Sequence, residues 1–96
     1  MIRDRIVARI RELAASFGRL SEGAEWYLFG SVDRGEEAAH DIDLLILCRD
    51  HVQADALRAA VDPDQLELPL HIAFMTYAEE AEVSAVRMQQ GRIIFP

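Results

Sequence analysis

The chain has 96 residues, of which 51% are apolar, 28% charged and one a cysteine. That is enough for one small hydrophobic core, and it excludes a disordered chain, an internal disulfide and a zinc site built from cysteines alone. Seventeen acids against ten bases leave a net charge of −7, and every base is an arginine. This balance opposes sequence-independent nucleic-acid binding, which needs a basic surface. Surplus carboxylates instead suit divalent cations that in turn hold phosphates, or a basic partner protein. No apolar run reaches the length of a membrane span. The alternating charged and apolar residues from Met1 to Ile6 read as neither a signal peptide nor an anchor, so a cytoplasmic location is expected.

Ile2, Ile6, Ile10, Leu13, Ala14 and Phe17 recur at helical spacing, which predicts an amphipathic helix over 2–17 ended by Gly18. Trp26–Phe29 is aromatic-rich and predicts a strand running straight into Gly30-Ser31. Residues 32–40 are polar and acidic. Ile42–Cys48 is almost continuously aliphatic, the pattern of a strand covered on both faces, and Cys48 reads as a core residue. Asp50 caps a helix expected over 51–61, with Val52, Leu57, Ala60 and Val61 inward and Pro63 as its stop. A third strand is expected over 70–75. Thr76 and Glu79 have the spacing of a capping box that opens a helix over 77–89. Gly91 ends that helix and leaves 92–96 as a short apolar tail. With no repeat or linker, the order predicts one α/β domain over 1–96, a small mixed sheet flanked by helices.

The chemistry concentrates where the first strand meets Gly30-Ser31 and where Asp41-Ile42-Asp43 opens the second. Side chains two apart on a strand share a face, so Asp41 and Asp43 present two carboxylates together while Ile42, Leu44 and Ile46 pack opposite. Paired acids at the mouth of an aliphatic strand are costly unless solvated or met by a cation. Hard oxygen donors so arranged suit magnesium or manganese bridging to phosphates. A strand ending in Gly-Ser at a helical start lets a phosphate approach backbone N–H groups, with the Ser31 hydroxyl as a further donor. Arg34 lies about one helical turn on from Ser31 and can face the same anion. His40 is directed by parity to the face opposite Asp41 and Asp43, and His51 reads as a surface residue at a helix start.

The segment Leu28-Phe29-Gly30-Ser31-Val32-Asp33-Arg34-Gly35, followed by Asp41-Ile42-Asp43-Leu44-Leu45, resembles the signature of the minimal nucleotidyltransferases. These are small members of the DNA polymerase β-like nucleotidyltransferase superfamily, with Gly-Ser, a nearby Arg-Gly and then Asp-x-Asp-Leu. The resemblance extends over nearly the whole chain, to Gly91-Arg92-Ile93-Ile94. It implies that Asp41 and Asp43 bind divalent ions, Mg²⁺ or Mn²⁺. It implies also that Gly30 and Ser31 hold the β- and γ-phosphates of a nucleotide, ATP, with Arg34 assisting. A hydroxyl would attack the α-phosphate in line and release pyrophosphate. Members of this family often work beside a helical HEPN protein as antitoxin to its toxin, some by adenylylating a tyrosine of that partner.

The chain departs from the family's pattern in two ways. The loop Val32–His40 is one residue shorter than usual, and His40 stands where a serine commonly precedes the Asp-x-Asp. Active members also carry a third carboxylate on the third strand, where it binds metal and helps deprotonate the acceptor; the matching position here is His71. Three readings stay open. His71 acts as general base, Glu67 reaches in from before Pro69, or the site is weak and the domain serves as a binding partner.

Two functions are therefore expected. The first is transfer of a nucleoside monophosphate, AMP from ATP, to a hydroxyl of a partner protein, as in a HEPN toxin–antitoxin pair, with Asp41, Asp43 and His71 catalytic. The alternative is a catalytically degenerate nucleotidyltransferase fold that masks a partner without catalysis. A third reading, transfer to a small molecule such as an aminoglycoside, would need self-association into a homo-oligomer. Nearly every residue serves the nucleotide-and-metal half, so a second chain is expected to supply the acceptor.

Overall fold

The computed structural model describes residues 2–96, and Met1 lies outside the described residues. The chain runs through α1 (Ile2–Ser16), a 3-10 turn (Gly18–Ser21), β1 (Glu25–Phe29) and α2 (Gly30–Asp33) to β2 (Ile42–Cys48). It continues through α3 (His51–Ala60), β3 (Leu70–Thr76), α4 (Tyr77–Val83) and α5 (Ala85–Met88) to β4 (Arg92–Phe95). The four strands form one mixed sheet in the order β3-β2-β1-β4. β1 is antiparallel to both β2 and β4, whereas β2 and β3 are parallel and joined across α3. The mixed α/β class expected from the sequence is the class observed. Among the described residues no helix is long and apolar enough to cross a membrane.

β2 decides the layering. Ile42, Leu44, Ile46 and Cys48 are all at 0% exposure on the face that meets α1 and α3. Leu45 and Leu47 are buried on the other face, where α4 packs against β2 and β3. The aliphatic run is therefore covered on both sides, as its composition requires. On β1, Trp26 and Leu28 point into the core and Tyr27 is half-buried on the opposite face.

α1 buries Ile6, Val7, Ile10, Leu13 and Ala14, with Ile2 and Phe17 packed at the margin. It stops at Gly18, whose φ of +54° an L side chain would resist. α3 starts where expected, because the Asp50 carboxylate accepts the Gln53 N–H at 2.8 Å. Its inward face differs from the apolar reading, however. Val52 is 78% exposed and Ala60 is exposed, while Gln53, Ala54, Leu57 and Val61 are buried. The cause is the Gln53 amide, which donates to the carbonyls of Leu20 and Glu22 and accepts the Arg49 N–H at 2.8 Å. A buried polar side chain with its partners satisfied sets the helix rotation.

The capping box at Thr76 and Glu79 forms with both reciprocal bonds. The helix it opens does not run to residue 89. It breaks at Ser84, which takes a left-handed φ of +51°, and the Glu80 carboxylate caps the following turn by accepting the Val86 N–H. Nor is 92–96 a tail. Arg92–Phe95 is a strand on the free edge of β1, with a bulge near Trp26 and with Ile94 buried. An unpaired edge attracts any available strand, and four residues suffice to cover this one.

Leu44→Ala should destabilise the protein by about 3 kcal/mol through cavity formation. Val52→Ala should stay within about 0.5 kcal/mol, as an exposed site does; urea unfolding of both variants checks this pair. Burial raises the Cys48 thiol to about 11 and, with help from Glu25, the Tyr27 phenol to about 12. Between the ordinary range of each group and these values the unfolded chain has released protons that the native state keeps. Stability should therefore fall as pH rises through that window. Unfolding midpoints measured across the alkaline range should show a shallower fall in Cys48→Ala.

Candidate active site

Strand register assembles the site. Antiparallel pairing sets Phe29, the last residue of β1, opposite Asp43, and parallel pairing sets His71 of β3 on the other side of Asp43. Asp41 immediately precedes β2. One donor atom from each of Asp41, Asp43 and His71 lies within 4.8 Å of the others. The His71 Nδ1 is 3.5 Å from Asp41 Oδ2 and 3.8 Å from Asp43 Oδ1. The two carboxylates are half-buried, at 35% and 26% exposure, while the imidazole is 64% exposed on the edge strand. Burial first, and then the Asp41 charge, push the Asp43 carboxyl above the ordinary carboxylate range, against the opposing pull of His71 and Arg34. A like-charged pair short of cationic compensation, with an imidazole alongside, is a donor set that fits a divalent ion.

The turn after β1 lies directly against this cluster. Gly30 has φ +78°, and a Cβ built there would overlap Asp43 Oδ2. The backbone conformation favours glycine, and a side chain there would also push the Asp43 carboxylate aside. Ser31 follows in the same turn, half-buried, and the first-turn N–H groups have no intrahelical acceptor. Arg34 ends α2, exposed, with its Nε 2.7 Å from Glu36 Oε2, and its charge still acts on Asp43. The structure thus gathers Asp41, Asp43, His71 and Gly30 closely and sets Ser31 beside them. It leaves Arg34 nearby but paired with a neighbour.

Two other carboxylates are accounted for. Glu67 is held by Arg5 through both oxygens, at 2.9 and 3.2 Å, and stands outside the Asp41–Asp43–His71 group. It is not a replacement for the missing carboxylate. Asp33 escaped the sequence reading, which placed it in a polar acidic stretch. It is 5% exposed; its Oδ1 accepts from Arg3 Nε at 3.1 Å and its Oδ2 forms an ion pair with Arg92 Nε at 3.0 Å. One carboxylate thereby ties α2, the turn that carries Gly30 and Ser31, to α1 and β4. Nothing local marks it, because both partners are distant in sequence. His40 is exposed and lies outside the cluster, as its parity predicted, and Cys48 is buried at the far end of β2.

Beside Asp43 and His71 lies an open depression of about 230 Å³, floored by Phe29, Leu44, Ile72 and Ala73. A second one of about 190 Å³ shares Phe29 and Ala73 and extends to Met75 and Ala85. Each is smaller than the ~300–1,000 Å³ that encloses a drug-sized ligand. A larger depression of about 460 Å³, at the end of α1 and beside Phe95 and Pro96, contains none of these residues.

The fold, the Gly-Ser turn and the paired acids define a nucleotidyltransferase domain. The profile of the family described as a nucleotidyltransferase domain matches residues 10–94, and the chain belongs to that family, consistent with its resemblance to the minimal nucleotidyltransferases. Comparison with curated proteins and with solved structures returned no match.

Asp33→Ala should lower stability by about 2 kcal/mol, less than a fully buried pair because both arginines retain water. Urea unfolding gives the magnitude. Faster amide exchange across residues 30–34 would show that the loss is felt in the turn.

Proposed function

We propose that the chain is a metal-dependent nucleotidyltransferase that moves a nucleoside monophosphate, AMP from ATP, onto a hydroxyl of a partner protein. The observation that carries this reading is the Asp41–Asp43–His71 cluster with Gly30 pressed against it, in a member of the nucleotidyltransferase domain family. Asp41 and Asp43, with His71 beside them, would hold the divalent ion, Mg²⁺ or Mn²⁺, whose charge supports the phosphates when bound. Gly30 leaves the turn's backbone open to an anion. The Ser31 hydroxyl and the first-turn N–H groups donate to β- and γ-phosphate oxygens. Arg34 adds positive charge once phosphate replaces Glu36 as its partner. The acceptor hydroxyl gives up its proton to solvent as its oxygen bonds to the α-phosphorus and the bond to pyrophosphate breaks. The residues of the chain contribute mainly position and electrostatics to that exchange.

The acceptor belongs to a second chain on this reading. The depressions beside the cluster are small and open, so another wall has to complete the pocket. A HEPN-like protein in a cytoplasmic toxin–antitoxin pair is the partner proposed, with an adenylylated hydroxyl as the outcome. A second copy of this chain is the other way to close the pocket. General nucleic-acid binding is no part of the proposal, given a net charge of −7.

Incubation with a divalent metal, ATP labelled on its α-phosphate and the copurifying partner should label the partner. Asp43→Ala should reduce the transfer by at least ~100-fold, in keeping with loss of transition-state charge stabilisation. Absence of label, or equal label with Asp43→Ala, overturns the enzyme. If the same partner is still inhibited by Asp41→Ala and Asp43→Ala, the chain is a masking protein instead.

A further inference from the structure

We infer that His71 is a ligand of the bound ion through Nδ1, and that it shifts the site away from Mg²⁺ toward borderline first-row ions such as Mn²⁺, Co²⁺ or Zn²⁺. This rests on reading the cluster as the metal site of the transferase. The position matters first. Parallel pairing holds His71 next to Asp43 on the adjacent strand, and its Nδ1 also lies 3.5 Å from Asp41, just before that strand. The spacing matters next. Separations of 3.5 and 3.8 Å to the two carboxylates are long for hydrogen bonds. Two donors sharing one ion at bond lengths of ~2.1 Å stand about 3.0–3.4 Å apart, so the imidazole needs less than about 1 Å of closure on either acid, and all three donors already lie within 4.8 Å of one another. A ring that is 64% exposed on an edge strand has room for that adjustment. Having Nδ1 aimed between two carboxylates also argues against a proton-accepting role for that nitrogen, because an ion held by both acids lies where the proton would arrive.

The donor chemistry then sets the preference. Mg²⁺ favours an all-oxygen shell of near-ideal octahedral geometry and keeps its waters. An imidazole nitrogen instead raises affinity along the first-row series, where geometry and donor type decide selection. Two carboxylates and one imidazole form a mixed set of the second kind. A nitrogen on β3 therefore changes which ion the fold selects while leaving the rest of the cluster in place.

The test is metal binding to the full chain, read without turnover. Metal-free protein is titrated with Mn²⁺, followed by electron paramagnetic resonance, with Mg²⁺ as competitor. Pulsed measurements should show nitrogen hyperfine coupling to bound Mn²⁺, and this coupling should vanish in His71→Asp. The same substitution should narrow the Mn²⁺-over-Mg²⁺ preference by more than the ~10-fold lower bound for losing an outer-shell partner. His71→Asn should lose both the coupling and Mn²⁺ affinity. Bound Mn²⁺ without nitrogen coupling, coupling that persists in His71→Asp, an unchanged preference, or no bound ion overturns the inference. Label transfer is scored separately. Transfer with no nitrogen at the metal rejects the ligand and keeps the enzyme, whereas nitrogen-bound Mn²⁺ without transfer does the reverse.

Discussion

The turn after β1 lies against the Asp43 carboxylate at a distance that leaves no room for a side chain at residue 30 unless that carboxylate shifts. That contact couples the two halves of the site, the Gly-Ser turn and the paired acids. It is available only in one register, the one in which Phe29 pairs with Asp43. A slip of one residue would send Asp43 into the core and Leu44 toward the turn. The aliphatic residues that follow Asp43 prevent that slip, since Leu44, Ile46 and Cys48 are fully buried on one face and Leu45 and Leu47 nearly so on the other. Core packing thus holds a polar geometry that would not hold itself. The acid at the strand's mouth is tolerated because it keeps partial access to water, while its partial burial, and then the Asp41 charge, push its carboxyl upward.

Around that contact the arginines do structural work that the acidic net charge conceals. Arg3 and Arg92 hold Asp33, Arg5 holds Glu67, and Arg11 Nε donates to the Ile94 carbonyl at 2.8 Å. The arginine-rich surface of α1 is therefore largely spent within the molecule, joining the first helix to the Gly30-Ser31 turn, to the loop before β3 and to the last strand. Exposed pairs of this sort add little stability one by one. Asp33 is the exception, because its carboxylate is buried and both of its oxygens are met. The protein consequently uses its carboxylates in two opposed ways. Asp33 is neutralised from within, while Asp41 and Asp43 are left with one exposed imidazole nearby and the Arg34 charge at a greater remove.

What could be read from the sequence was whatever depends on local pattern. The doubly buried β2, the core position of Cys48, the cap at Asp50 and the capping box at Thr76 and Glu79 all follow from neighbouring residues, and all are present. So does the shared face of Asp41 and Asp43, and through it the cluster. Most of the misreadings are non-local. β4 is a strand because β1 has a free edge, which a four-residue segment with three apolar side chains cannot announce. Val52 points to water because Gln53 is anchored on the 3-10 turn about thirty residues earlier. The helix after Thr76 breaks at Ser84 where the Glu80 carboxylate offers an alternative cap. Asp33 was invisible for the same reason, since its role depends on two arginines brought together only by the fold.

The histidine on β3 shows how pattern and geometry divide the specification of a site. A motif records residue types along the chain, so His71 registers there as a missing carboxylate. The sheet records positions, and by position nothing is missing: residue 71 pairs with residue 43, and its side chain reaches both acids. Parallel pairing runs unbroken from Ile42 and Leu70 to Cys48 and Thr76, and the buried face of that pairing is aliphatic throughout β2. The location of the third donor is thus set by the core, which tolerates little change, while its chemical identity is set on an exposed edge, which tolerates a great deal. A fold built this way can exchange a carboxylate for an imidazole without moving the other groups. On the metal-site reading proposed above, the consequence falls on the ion selected and leaves the architecture that presents it unchanged.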